Sequence, residues 1–216
     1  MSGTDANAVA RAVRIEPPGL EGMLDLPAGC RSVVVFAHGS GSSRLSPRNN
    51  AVAQELREAG LGTFLFDLLT DAEAADRANV FDIPLLADRL SLAAGWLREK
   101  EGLARWRFGY FGASTGAAAA LTAAALTDSE VGAVVSRGGR PDLAMASLPA
   151  VRAPTLLIVG GADDVVLALN RKAYSRLRCE KALEIVPGAG HLFEEPDTFA
   201  AMTELARDWF ARHLGD

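Results

Sequence analysis

A serine that could attack a carbonyl, a histidine that could take its proton and a carboxylate that could steady the histidine all sit on glycine-flanked segments of this chain. The serine is Ser114, at the centre of Gly112-Ala113-Ser114-Thr115-Gly116. An apolar run at 108–111 precedes it and an alanine-rich segment at 117–126 follows, so the pentapeptide reads as a tight turn from strand to helix. Such a turn strains the backbone of its central residue, and small neighbours on both sides let strand and helix approach. The competing reading of this window is an ordinary helix start that a serine caps.

A hydroxyl needs a base at neutral pH, and the base needs a carboxylate to hold its tautomer and stabilise the imidazolium. The chain has 3 histidines, so the base follows by elimination. His213 stands three residues from the end, on the last turn of an expected helix. His38 precedes the loop Gly39-Ser40-Gly41-Ser42-Ser43, where an imidazole shapes the loop or touches substrate. His191, just past a strand in Pro187-Gly188-Ala189-Gly190-His191, is the best base. For the acid, Asp163 and Asp164 both follow the strand at 155–159. The Gly160-x-x-Asp163 spacing returns the first carboxylate to the sheet edge, while Asp164 points away and is placed to cap a helix starting near Val165. Asp163 is therefore favoured, with Asp164 and the more distant Asp67 as alternatives.

These groups need a frame, and the hydrophobic pattern supplies one. Residues 20–26 alternate as a half-buried edge strand does. A continuous apolar run at 33–37 reads as a strand covered on both faces, 62–68 as the next buried strand, and 108–111, 131–136, 155–159 and 182–186 as further strands. Helical spacing occupies 47–59, 81–101, 117–126, 165–177 and 196–214, with a short helix at 142–148. The acidic, alanine-rich segment 69–80 reads as a short surface helix or a mobile loop. Strands alternating with helices predict an α/β fold, a mostly parallel sheet with helices on both faces. Residues 1–12 are expected to be disordered and 13–216 to form one domain without a lid. His38, Ser114, Asp163 and His191 then lie on one edge of the sheet, past the carboxyl ends of four strands.

Composition narrows the function. With 216 residues and 49% hydrophobic content the chain can bury one substantial core. Its net charge of −5 and lack of a basic run argue against a nucleic-acid partner. The 2 cysteines, Cys30 and Cys179, form no pair suited to a disulfide framework, and with three scattered histidines no metal site is expected. The longest apolar stretch, 117–126, is well short of the roughly 20 residues that span a bilayer. With no signal-peptide pattern at the start, a soluble cytoplasmic protein is expected, as a monomer or homodimer. No cofactor is expected either: Gly39-Ser40-Gly41 invites a dinucleotide, but Arg44 occupies the third glycine position and the helix does not begin at once.

The order serine, acid, histidine, together with His38-Gly39-Ser40-Gly41, Gly112-Ala113-Ser114-Thr115-Gly116, Gly160-Gly161-Ala162-Asp163-Asp164 and Gly190-His191, resembles the α/β-hydrolase superfamily over nearly the whole chain. Short loops make it most similar to the compact dienelactone-hydrolase-like branch, although dienelactone hydrolases proper carry a cysteine where this chain has Ser114. The resemblance implies a carboxylesterase-like serine hydrolase with Ser114 as nucleophile, His191 as base and Asp163 in support. It also implies an oxyanion hole built from the backbone N–H groups of Ser40 and Thr115. Arg44, Arg137 and Arg140 stand near the same edge, as does Arg48, so a small-molecule acyl substrate with an anionic group is one expectation. The other is that the arginines are solvated or paired with acidic neighbours. Acyl transfer to an alcohol or peroxide, and a non-catalytic ligand-binding relative, are the rival readings.

Overall fold

The computed structural model describes residues 10–126 and 130–215. Eight strands, β1 (Arg11–Ile15), β2 (Leu20–Asp25), β3 (Ser32–Ala37), β4 (Gly62–Phe66), β5 (Arg107–Ala113), β6 (Val131–Arg137), β7 (Thr155–Gly160) and β8 (Lys181–Val186), form one sheet. Their order is β1-β2-β4-β3-β5-β6-β7-β8. β2 pairs antiparallel with both β1 and β4, and every pairing from β4 to β8 is parallel.

Side-chain alternation along the central strands feeds two cores. Val33, Val35, Phe108 and Tyr110 face α4 (Ile83–Lys100) and α5 (Thr115–Ala124), where Leu90, Leu97 and the alanines of α5 are buried. Val34, Phe36 and Phe111 face the opposite way, against α1 (Pro47–Glu58) and α7 (Pro196–Leu214), and meet Leu56, Met202 and Phe210. Among the described residues, no helix is long and apolar enough to cross a membrane.

The N-terminal end differs from expectation. Residues 1–9 of the segment expected to be disordered lie outside the described residues, but Arg11 and Ala12 belong to β1. β1 occupies the edge of the sheet and moves β2 inside it. The hairpin turn closes with the Gly19 N–H donating to the Ile15 carbonyl (2.8 Å), and Ile15 and Leu20 anchor it in the core. Segment 69–80 forms two short helices, α2 (Asp71–Ala74) and α3 (Arg77–Val80). Thr70 and Glu73 cap the first reciprocally, a Thr-x-x-Glu signal present in the sequence. In place of the helix expected at 142–148 stand two 3-10 turns, Pro141–Ala144 and Leu148–Ala150, with Pro149 unable to donate a helical hydrogen bond.

Strand register brings the chemistry together. Ala37 of β3 pairs with Gly112 of β5, Ala113 with Arg137 of β6, Arg137 with Ile158 of β7, and Gly160 with Val186 of β8. The loops after these strands therefore leave the sheet at one edge. β3 and β5 are adjacent while the chain runs from β3 to β4 and back past it to β5, so the Ser40 loop and Ser114 flank the point where the strand order reverses, where open α/β sheets bind ligands.

Candidate active site

Ser114 occupies the turn between β5 and α5 with φ 52° and ψ −121°, a conformation that costs a non-glycine residue about 1–3 kcal/mol. It makes no side-chain cap on α5, so the reading as an ordinary capping serine fails. The strained peptide is strapped by the loop after β6. The Ser114 N–H donates to the Arg137 carbonyl (3.2 Å), and the Arg140 N–H donates to the Ser114 carbonyl (3.0 Å). Gly116 lets α5 start directly beneath β3, because a Cβ there would stand 2.1 Å from the Ala37 carbonyl oxygen. Ser114 is left half-buried, with its side chain on an open cleft.

His191 faces the same cleft, and its Nδ1 lies 2.8 Å from Asp163 Oδ2. With an ionised carboxylate as acceptor, Nδ1 carries the proton and Nε2 is the basic nitrogen. Asp163 also caps α6 (Asp164–Arg176), its Oδ1 accepting from the Val166 N–H at 3.3 Å. One carboxylate thus fills both roles that the sequence divided between neighbours. Asp164 is the exposed first residue of the helix and not its cap. Asp67 is occupied elsewhere, accepting from the Arg44 N–H (2.7 Å) and pairing with its guanidinium.

The loop carrying His191 is held from both sides. Phe193, at φ 53°, turns the chain back into the core, where its ring is buried in the cluster that also holds Phe36 and Met202. Gly138 lies under the imidazole with φ +51°, and a Cβ there would meet the His191 carbonyl oxygen at 3.0 Å. The Asn170 amide, wholly buried on α6, donates to the Gly139 carbonyl (3.0 Å) and so fixes the loop that straps Ser114. None of Phe193, Gly138 and Asn170 was identified as a site residue from sequence. An asparagine on the apolar face of an expected helix was the one available signal.

His38 is a strut. Its Nε2 accepts from the Leu68 N–H (3.1 Å) and its Nδ1 lies 3.0 Å from the Gly39 carbonyl, so both ring nitrogens are committed to backbone and none is left for a substrate. Burial pushes its pKa below the ordinary histidine value. The Ser40 N–H, one expected oxyanion donor, donates to the Thr115 hydroxyl at 2.9 Å. The Thr115 N–H stands at the first position of α5, where no earlier helical carbonyl can accept it.

The cleft has a volume of about 600 Å³. Ser40, Arg48, Ser114, Arg137 and His191 line it. A second cavity of about 380 Å³ lies across the Gly-Ser loop, with Leu45, Leu68, Leu69, Val80 and Thr115 in its wall. The four arginines separate by partner. Arg44 pairs with Asp67 and Glu21, and Arg140 holds Asp142 with two 2.8 Å hydrogen bonds. Arg48 pairs with Glu194 at 3.2 Å in an exposed position. Arg137 alone is deeply buried, and its Nε has no partner.

Comparison with known proteins places the chain in a family. A dienelactone hydrolase from Anabaena variabilis is 51% identical and superimposes with a TM-score of 0.90, over 96% of this chain and 98% of that one. An α/β serine hydrolase without lid from Xanthomonas campestris has a TM-score of 0.78 over 96% of each chain, but at 22% identity it shows a shared fold alone. Two Mycobacterium tuberculosis proteins named putative phosphoribosyl transferase are 58% identical over 198 residues, or 92% of this chain. The chain spans 45% of the length of each. The sequence profile described as the Alpha/beta hydrolase family matches residues 3–202, and with a TM-score of 0.90 to a dienelactone hydrolase the chain belongs to that family, in its dienelactone-hydrolase-like branch.

Proposed function

We propose that this protein cleaves carboxylic esters or related acyl bonds of small molecules through an acyl-enzyme on Ser114. One observation carries the reading: a strained serine and an imidazole whose Nδ1 is held 2.8 Å from a carboxylate open on one cleft. As the Ser114 oxygen bonds to the acyl carbon, its proton passes to His191 Nε2, and Asp163 stabilises the imidazolium. The carbonyl electron pair moves onto oxygen, where the Thr115 N–H meets the charge. The Ser40 N–H joins it by turning from the Thr115 hydroxyl to the new oxyanion. Losing one such donor typically costs about 10²–10³ in rate. Collapse expels the leaving alcohol, which takes the proton from Nε2. Water then repeats the sequence on the acyl-enzyme, releasing the acid and restoring Ser114. In the second cavity, across the Gly-Ser loop, the wall formed by Leu45, Leu68, Leu69, Val80 and Leu86 suits the hydrocarbon part of a substrate.

The name carried by the mycobacterial relatives describes proteins more than twice as long as the matched region. We assign acyl chemistry to the region this chain shares with them and do not carry phosphoribosyl transfer over to it. A fluorophosphonate probe tests the assignment here: it should label Ser114 in folded protein and fail on Ser114→Ala, and a panel of p-nitrophenyl esters should show turnover that Ser114→Ala lacks. Absence of labelling in folded wild-type protein would remove the proposal.

A further inference from the structure

Acyl cleavage leaves one deeply buried charged group of the cleft unused. Arg137 ends β6 with 6% of its surface exposed, and among the described residues no carboxylate or other acceptor pairs with its side chain. Among the described residues, no Asp or Glu stands in the cleft wall. Burial, and after it the neighbouring guanidinium of Arg48, push its pKa down to about 10, which leaves it charged at neutral pH. A buried cation without a counter-charge is costly, and a similar-sized apolar side chain would avoid that cost. A charge kept here beside Ser114 and His191 points to a ligand that supplies the missing partner.

The surroundings indicate what kind of anion. Arg48 lines the same cleft from its rim, in an exposed pair with Glu194 that solvent screens. A monovalent carboxylate would neutralise Arg137 and leave Arg48 to its exposed pair with Glu194, whereas two negative charges can also draw Arg48 across. A dianion answers both. The exposed loop residues Ser40 and Ser42 line the same wall and offer hydroxyl donors, more than the two oxygens of a carboxylate need and suited to the three oxygens of a phosphate monoester. Arg44 and Arg140 take no part, since neither lines this cleft and acidic side chains hold them.

We propose that the cleft beside Ser114 binds a phosphate monoester group, with Arg137 as its buried anchor and Arg48 as the second cation. The proposal rests on the acyl-hydrolase reading for what is cleaved, but not for what is bound. Phenyl phosphate and benzoate separate the two anion classes. Their binding is measured by calorimetry on Ser114→Ala, which cannot turn over an ester by the route above, and by inhibition of p-nitrophenyl acetate hydrolysis in the wild type. Phenyl phosphate should bind at least about tenfold more tightly than benzoate, and Arg137→Gln should weaken it a further tenfold or more, with part of the loss recovered in Arg137→Lys. Equal binding of the two anions, preference for benzoate, or phenyl phosphate binding unmoved by Arg137→Gln would each overturn it. Should Arg137→Gln fail to fold, the phosphate-to-benzoate ratio on Ser114→Ala decides alone. If phenyl phosphate binds as expected while no ester is hydrolysed and no probe labels Ser114, the hydrolase reading falls and the phosphate site stands. If Ser114 is labelled and esters are cleaved without phosphate preference, only the phosphate site falls.

Discussion

His38 and His191 sit on loops past parallel strands of one sheet, at the same edge, yet they are built for opposite work. The ring of His38 spends both nitrogens on backbone, bridging the ends of β3 and β4 through Gly39 and Leu68. His191 spends only Nδ1, on Asp163, and keeps 37% of its side chain open to the cleft. The residue type is the same, so the partners decide which imidazole is a strut and which keeps a nitrogen free for the proton transfer we propose. Partner chemistry follows position in the sheet. β3 lies in its covered middle, where an unmatched nitrogen would be costly, whereas β8 is an edge strand with two exposed residues.

Replacing the two histidines in turn is the hardest test of that contrast. His191→Ala should lower kcat/KM for a p-nitrophenyl ester by about 10⁴–10⁶, while His38→Gln should cost less than about tenfold and show its effect in stability. Equal losses of activity would erase the distinction. Next in size is the carboxylate behind His191. Asp163→Asn should reduce kcat by about 10⁴ through loss of the imidazole's orientation and charge support. Asp164→Asn, one residue away and exposed, should leave activity near wild type and shift stability by no more than about 0.5 kcal/mol. Smaller again is the brace on the Ser114 side: Asn170→Leu removes the donor to Gly139 and should cost about 1–3 kcal/mol in chemical denaturation. A neutral Asn170→Leu would mean that the loop strapping Ser114 stands without its brace.

Much of the fold was legible because the central strands are runs rich in apolar residues and the long helices keep their period, and both depend on burial alone. Ser114, His191 and Asp163 were legible because small flanking residues mark strand ends and because the order of the three is distinctive. What stayed hidden depends on where backbone groups point. Nothing in one dimension says that the Arg137 carbonyl and the Arg140 N–H grip Ser114, or that Asp163 can cap a helix with one oxygen and hold an imidazole with the other. The arginines show the same limit. Four were visible near the edge, and only three-dimensional pairing sets Arg137 apart from Arg44, Arg48 and Arg140. β1 was missed because five residues beside a proline turn offer too short a pattern, and its burial comes from Ile15 and Leu20 acting across the hairpin.

The contrast between the two imidazoles also has a consequence for stability against pH. Burial lowers the His38 pKa in the folded protein, while in the unfolded chain the ring titrates near its ordinary value of about 6.5. Below that value the unfolded state takes up a proton that the native ring resists, so the unfolded state binds more protons and stability rises with pH. The contribution is complete above about pH 6.5 and is lost as pH falls from there toward the native pKa. His213, also lowered mainly by burial, acts in the same direction, so the wild-type slope alone does not isolate His38. Comparison with His38→Gln does, because glutamine keeps a donor and an acceptor but does not titrate. Denaturation midpoints measured from pH 7.5 down to pH 5 should fall less steeply in His38→Gln than in the wild type. Parallel curves would mean that His38 accepts a proton as freely when folded as when unfolded, and the division between strut and base would then lose its electrostatic half.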